Sequence, residues 1–541
     1  LESLKKALIE SFEVPLSAID QVFLDPEIQH LHDPFLMSGM DKAVAKIREY
    51  LPQISNIKDQ KSKRIMIYGD FDTDGVTSTI ILVQALTQLG AVVSYRIPDR
   101  TSHSHGLKKE IIDEIVEKQV GLLITCDCGI NDHEEVAYAV SKGLEVIVTD
   151  HHDPDPKRFP REALAVVNPL LDHCAYPDQN LSGAGIALKL VQALLDPCEL
   201  EPYLEMAAMG IIADCVPLRG ESRIIAKLGL EALKDTGWEG LRSFFIEQEI
   251  DPDAINEETV AFHLAPRINA ASRLGDVMMA TQLFLGEPSK IDARWGYLHN
   301  LNEKRKVLTD QTLQEALEQV DETAACQIVF APHWRQGILG LVASRISEKY
   351  TQPVLAVRQV DEYLVSGSCR APEGFSMIEA LRANEDLLLQ YGGHAGAAGF
   401  TCKLSNLRTL EQRLKDYFAA QNIEKAALSL AALVNIEVLN MELVDFLNRL
   451  APFGMGHQKP ILGIEGLQIL SVQPMGQSGD HFRLTGSKDD QVVELVGFFK
   501  GDWITQITPG EIHDVAFTVG DNYFQGERKI QLKLEDIRVM G

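Results

Sequence analysis

Ile65-Met66-Ile67-Tyr68-Gly69-Asp70-Phe71-Asp72-Thr73-Asp74-Gly75 decides how this chain is read. An apolar run ends in three carboxylates at alternate positions, and alternate spacing on an extended segment points Asp70, Asp72 and Asp74 the same way. Three like charges side by side repel, so a fold keeps them by placing positive charge among them or by leaving them in solvent. A divalent cation is the fitting counter-charge, since hard cations take carboxylate oxygens; a solvated acidic turn is the alternative. Asp150-His151-His152, straight after the apolar Val146-Ile147-Val148, decides between the two, because adjacent histidines beside an acid at a strand end suit Mn²⁺.

Working outward, residues 64–168 alternate strand and helix. Strands are expected at 64–68, 91–96, 121–125, 144–148 and 163–167, with helices at 76–89, 108–118 and 132–141. Short apolar strands separated by helices indicate a parallel, doubly wound sheet, in which ligands bind off the carboxyl ends of strands. The acids fall there: Asp70 to Asp74 after the first strand, Asp127 after the third, Asp150 after the fourth.

Residues 181–320 read as helical. Gly183-Ala184-Gly185 opens one helix, the segment ending at Ala213-Asp214 closes another, and 291–320 is a long helix bridging two lobes. A second α/β unit follows at 327–421, with the glycine-rich Gly392-Gly393-His394-Ala395-Gly396-Ala397-Ala398-Gly399. Five short strands from about residue 466 onward indicate a small barrel of the OB type. No internal repeat is found. The expected divisions are 1–45 (an N-terminal helical segment), 46–220, 221–322 (helices and the connecting helix), 323–425 and 426–541.

The bulk numbers constrain partners. A net charge of −27 is not that of a general polyanion binder, yet carboxylates gathered on cations count as negative, and a local basic channel can coexist with an acidic exterior. Eight cysteines in 541 residues are too few for a disulfide framework, and Cys126/Cys128 lack zinc-knuckle spacing. Reduced thiols in a cytoplasmic protein are expected. No apolar run reaches the roughly 18–20 residues that span a bilayer.

Tyr68-Gly-Asp-Phe-Asp-Thr-Asp-Gly75, Cys126-Asp-Cys-Gly129, Thr149-Asp-His-His152 and Ala213-Asp214 together resemble the motifs of the DHH phosphoesterase superfamily, and 392–399 resembles the glycine-rich motif of its DHHA1 domain. More narrowly, Arg267-Ile-Asn-Ala-Ala-Ser-Arg273, Trp334-Arg-Gln-Gly-Ile-Leu-Gly340, Ser366-Gly-Ser-Cys-Arg370 and Pro452-Phe-Gly-Met-Gly456 resemble the RecJ family of single-strand-specific 5′→3′ exonucleases.

The resemblance implies two Mn²⁺ or Mg²⁺ ions: Asp72 on one, Asp74, His151 and Asp214 on the other, and Asp127 bridging. Asp70 becomes a supporting group, and His152 faces the scissile phosphate. Some superfamily members carry a metal-binding histidine where Tyr68 stands here, which implies a more weakly held first ion. Arg267, Arg273, Ser368, Arg370, His394, Gly392 and Gly393 are the expected phosphate and nucleotide contacts; structural ion pairs and a tight turn are the plainer readings of the arginines and glycines.

The implied activity is release of 5′-mononucleotides from single-stranded DNA in recombination and repair, by a monomer working beside a single-strand-binding protein and a helicase. A phosphodiesterase acting on short RNAs or cyclic dinucleotides, and a non-catalytic scaffold, are the rivals. Phe482, Phe498, Phe499, Trp503, Tyr523 and Phe524 are candidate stacking surfaces in the barrel, and Lys304-Arg305-Lys306 are candidates for a channel wall.

Overall fold

The computed structural model describes residues 2–12, 21–52, 64–98, 105–421, 428–476, 479–524 and 527–539. Five strands build the first sheet: β1 (Arg64–Gly69), β2 (Val92–Arg96), β3 (Leu122–Cys126), β4 (Glu145–Thr149) and β5 (Ala165–Val167). All pairings are parallel, in the order β2-β1-β3-β4-β5.

Alternation along β1 explains the double winding. Ile65 and Ile67 enter a core with helices Thr73–Gln88, Gly183–Gln192 and Glu201–Ala213. Met66 and Tyr68 enter a second core with helices Lys109–Glu117 and His133–Ser141 on the opposite face. Two covered faces are what make the inner strands β1, β3 and β4 apolar along most of their length.

The acidic run itself departs from the extended reading. β1 stops at Gly69, residues 70–72 turn, and Thr73 already begins a helix whose N-cap is Asp72. The alternate spacing therefore spans a strand end, a turn and a first helical turn, and the three acids are gathered by the turn rather than by a pleat.

The helix Ile291–Leu317 is the expected bridge. Trp295 and Leu298 near its start are buried in the first lobe's core, and Ala316 near its end is buried with Val329, Trp334 and Leu339 of the second. That second lobe carries β6 (Gln327–Phe330), β7 (Val354–Gln359), β8 (Leu364–Arg370), β9 (Leu388–Gly393) and β10 (Ala397–Lys403), ordered β6-β7-β8-β10-β9. Only β6 and β7 pair in parallel; the remaining pairs are antiparallel.

The C-terminal unit adds β11 (Ala432–Leu433), β12 (Ile461–Met475), β13 (His481–Lys488), β14 (Gln491–Gly497), β15 (Ile512–Phe524) and β16 (Glu527–Val539). Pairing runs β12-β13-β14-β16-β15 and returns to β12, with a short parallel contact between β14 and β16. This is a closed five-stranded OB-type barrel.

The N-terminal segment does not stand as one unit. Leu4 and Leu8 of helix Glu2–Glu10 pack into the barrel's core, while helix Met40–Tyr50 crosses the expected boundary at residue 45 and packs into the first lobe. No described helix is long and apolar enough to cross a membrane.

Candidate active site

The carboxyl ends of β1, β3 and β4 open onto one place. Asp127 follows β3 with a left-handed backbone (φ +61), which turns its side chain back over the sheet edge. Gly183 makes room for it, since a Cβ there would sit 2.6 Å from the Asp127 Cβ. Asp74 lies at the N-terminus of helix Gly183–Gln192, where its carboxylate accepts from the Gly183 and Ala184 N–H groups at 2.6 and 2.9 Å. A helix N-terminus is the natural seat of an anion. Asp72 accepts from its own helix at Gly75 N, 3.1 Å away.

Between these acids stands His151. Its Nε2 is 3.2 Å from Asp127 Oδ1, 3.6 Å from Asp214 Oδ2 and 4.0 Å from Asp74 Oδ2. Donor atoms lie within 4.8 Å of one another in three overlapping sets: Asp70, Asp72 and Asp127; Asp74, His151 and Asp214; Asp127, His151 and His152. The structure thus brings every expected metal-ligating residue together, with Asp127 common to two of the sets, and it seats Asp70 beside Asp72 rather than behind it.

Electrostatics show how ill at ease this cluster is on its own. Burial, then Asp74 and Asp72, hold Asp127 well above the ordinary carboxyl range. Burial raises Asp72 and Asp74 as well, and burial together with Asp74 pushes Asp214 up to about 8. His151 is pulled down to about 4 by burial and the neighbouring His152, which keeps its imidazole neutral and able to ligate. Asp70 Oδ1, Asp127 Oδ1 and His151 Nε2 are buried without a hydrogen-bond partner. Oxygen and neutral imidazole donors, crowded and unsatisfied, fit divalent cations of the Mn²⁺ or Mg²⁺ kind.

Asp150 is not a member of the cluster but its keeper. It accepts from Ile130 N and His151 N, and its Oδ1 lies 2.7 Å from His152 Nδ1. Burial opposes its charge, yet the two histidines outweigh burial and hold it at about 2. Asp150 in turn overcomes the burial of His152 and raises that imidazole to about 10, and its side chain, 42% exposed, fronts the site.

His105 escaped the sequence reading. Its Nδ1 lies 3.0 Å from Asp70 Oδ2, and its ring packs on Phe71 at 4.5 Å. Tyr68, the position compared with a metal-binding histidine, lies in the opposite core with its hydroxyl donating to Gly106 O. Asn269 was missed too: its Oδ1 accepts from Thr73 N and Oγ1, tying the acidic turn to helix Ala265–Leu274.

The expected substrate contacts divide. Arg267 turns inward, donating to His263 O at 2.6 Å and Gln248 Oε1 at 3.0 Å and lying over Phe244. Its guanidinium is engaged with protein groups here, the arrangement that the plainer structural reading of this arginine expects.

Arg273 donates to Gly337 O at the start of helix Gln336–Tyr350, and Ser366, Ser368 and Arg370 share one face of β8. Ser366 bonds Gln336, and Arg370 lies against Gly340, where a Cβ would come within 2.9 Å of its guanidinium. Arg273 and Arg370 thus border the first turns of one helix, and Ser368 lies on the same face of β8 as Arg370. His394, in the turn between Gly393 and β10, reaches across to Asp153 of the first lobe with Nδ1 3.6 Å from Oδ2. Gly393 adopts φ +135 and leaves no room for a Cβ, which would lie 2.4 Å from Ala397 O; Gly392 has open space around it.

In the barrel Phe482 is buried, Phe498 and Phe499 are exposed, and Trp503 packs partly on the core with Lys500 over its ring. The Tyr523 and Phe524 side chains lie outside the described residues. Lys306 of the channel candidates pairs with Glu303 on its own helix.

A doubly wound sheet with an acid–histidine cluster at its carboxyl edge, joined to a glycine-rich mixed sheet, defines a metal-dependent phosphoesterase of the DHH class. The DHH family N-terminal domain matches residues 64–211, the DHHA1 domain 314–420 and the RecJ OB domain 431–536. RecJ of Bacillus subtilis, a single-stranded-DNA-specific exonuclease, is 34% identical over 537 residues, 96% of this chain and 66% of its own length. That of Thermus thermophilus is 35% identical over 523 residues, 95% of this chain and 72% of its own length. Crystal structures of Thermus RecJ with Mn²⁺ (32% identity, TM-score 0.83, 100% of this chain and 78% of that one) and with Mg²⁺ (29%, 0.77, 100% and 77%) share the fold. The chain belongs to the RecJ family. It spans about two thirds of the Bacillus relative's length.

Proposed function

We propose that this chain is a metal-dependent exonuclease that degrades single-stranded DNA from the 5′ end and releases 5′-mononucleotides, acting in recombination and repair. The observation that carries it is the chain of three overlapping donor sets, two sharing Asp127 and two sharing His151, with three buried donor atoms left unsatisfied. RecJ membership supports single-stranded DNA as substrate.

In this reading Asp72, with Asp70 beside it, holds one divalent cation, and Asp74, His151 and Asp214 hold the second, with Asp127 shared. Bound there, two such cations supply a nucleophilic water at neutral pH and neutralise charge on the transferring phosphate. The chain's own groups do the rest. His152, kept protonated by Asp150, donates to a phosphate oxygen as charge develops. Ser368, Arg370 and Arg273, beside the helix N-terminus at Gln336, receive the 5′-terminal phosphate. His394 and the Gly392-Gly393 backbone close over the nucleotide from the second lobe.

A long 5′-phosphorylated single strand, the same strand in duplex, and a dinucleotide compared with Mn²⁺ test the reading. The single strand is expected to be the preferred substrate and to yield mononucleotides from its 5′ end; cleavage of the dinucleotide alone would assign the small-substrate phosphodiesterase activity instead. Cytoplasmic location and functional contact with a single-strand-binding protein and a helicase belong to the same proposal, supported by the family's substrate, and a monomeric state is proposed with them.

A further inference from the structure

Pro452-Phe453-Gly454-Met455-Gly456 lies between helix Met441–Leu450 and β12, outside the donor cluster, and it grips the chain that follows Asp214. Met455 O accepts from Leu218 N at 2.7 Å, and Gly456 O accepts from Arg219 Nε at 2.7 Å. The approach leaves little room for side chains on the loop. A Cβ on Gly454 would lie 2.9 Å from Leu218 Cδ1, and one on Gly456, at φ +70, would lie 3.0 Å from Pro217 Cβ.

The loop is in turn fastened to the first lobe on both sides. Arg223 donates to the Leu450 and Ala451 carbonyls at 2.8 and 3.1 Å, and Lys227 to that of Arg449 at 2.7 Å, so two cations sit on a helix C-terminus. Glu257 accepts from Phe453 N at 3.1 Å.

Asp214 is the acid that needs such an anchor. Asp70, Asp72 and Asp74 are each held by a hydrogen bond to a carboxylate oxygen, and Asp127 is wedged against Gly183. The Asp214 carboxylate accepts no hydrogen bond among the described residues, and its side chain is 27% exposed where those of Asp74 and Asp127 are 0% and 3%. It caps helix Glu201–Ala213, after which the chain reverses through Cys215 at φ +57 and runs directly into the gripped segment.

We infer that the 452–457 loop of the barrel unit is a positioning element for Asp214. By holding 217–219 against the first lobe it fixes the turn from which that carboxylate projects. The inference rests on the reading of Asp214 as a cation ligand.

The test uses the full chain with Gly456→Val, which forces 217–219 outward, and Arg219→Met, which removes one hydrogen bond should the first variant fail to fold. Lys533→Ala, which breaks the Lys533–Glu258 pair elsewhere between barrel and first lobe, is the control. Mn²⁺ binding without DNA, read by electron paramagnetic resonance, is measured beside thermal melting and single-strand affinity in chelator. Expected is a roughly 10–100-fold weakening of one ion in Gly456→Val and Arg219→Met, the scale seen when groups supporting a ligand are removed. The other ion, the affinity for DNA and the control stay as in the parent.

Unchanged Mn²⁺ binding in both variants overturns the inference, as does equal weakening of both ions together with lost DNA affinity, which marks a general structural role. Asp214→Asn run in parallel separates the two levels. If it leaves both ions bound as before, the ligand assignment fails; if it loses one ion while the loop variants lose none, only the positioning role fails.

Discussion

At the carboxyl edge of the first sheet the polar groups are buried and mostly of one sign; on the second sheet they are half-buried or exposed and largely basic or neutral. Asp70, Asp74 and Asp127 are almost wholly covered and crowd one another, whereas Arg370 and Ser368 are half-buried and His394 and Gly392 are open to solvent. Burying like charges is costly without a counter-ion, and the upward displacement of four carboxyls is the mark of that cost. The first edge is an incomplete structure that a cation completes. The second surface needs no such counter-charge, and on the proposed reading it meets an anion from solution. On the proposed reading one half of the cleft takes the cations and the other the phosphate, and a phosphodiester between them meets both.

The sharpest way to break this contrast is at its shared acid. Asp127→Ala is expected to lower kcat by at least about 10³-fold, on the scale of losing a main charge-stabilising group, while single-strand binding measured by anisotropy survives on the second lobe and barrel. Retained cleavage would dissolve the two-set reading. His105→Ala comes next, with a loss of roughly 10–100-fold in Mn²⁺ affinity or kcat, because it frees Asp70 to rotate; a metal titration of the variant checks it. Arg370→Ala tests the phosphate side. The expected result is a KM increase of about 10-fold or more for 5′-phosphorylated strands, in line with about 1.5–3 kcal/mol for a hydrogen bond to a charged group. Little change is expected for 5′-hydroxyl strands.

The smallest effect sharpens the contrast from inside the first lobe. Glu205 is buried away from the edge, bonded to Thr236, and burial raises it from its ordinary 4.5 to about 7. A lone buried acid can take a proton; the clustered ones are built for a cation. Because the folded chain binds that proton more tightly than the unfolded one, the associated stability is complete below pH 4.5 and is lost as pH rises through 7. Relative to the parent, Glu205→Gln should therefore melt progressively higher as pH rises from about 4.5 to 7 and hold a constant lead above 7, in paired calorimetric scans.

Much of this was legible in the chain. Apolar runs such as 65–67 and 146–148 gave the strands to within a residue or two, and the acids at their ends gave the cluster, because strand ends in a parallel sheet converge by topology. The bridging helix was visible in a long stretch almost free of glycine and proline. What stayed hidden depended on side-chain direction across long separations. His105 meets Asp70 over 35 positions, and Arg267 finds partners in its own helical layer instead of the cleft. The apparent pleat of the acidic run failed because Asp72 prefers to cap a helix, a choice local spacing does not reveal. Helix Glu2–Glu10 joined the barrel, since an amphipathic segment carries no label for the core it will enter.

The helix Ile291–Leu317, with its two ends sunk in different cores, works as a strut rather than a hinge. At 27 residues it is about 40 Å long. A rod clamped at both ends yields only by bending along its length, so the spacing between the donor cluster and the face of β8 is a dimension set by a residue count. Adding or deleting a turn of that helix would change that gauge without altering a single residue of the donor cluster or of β8.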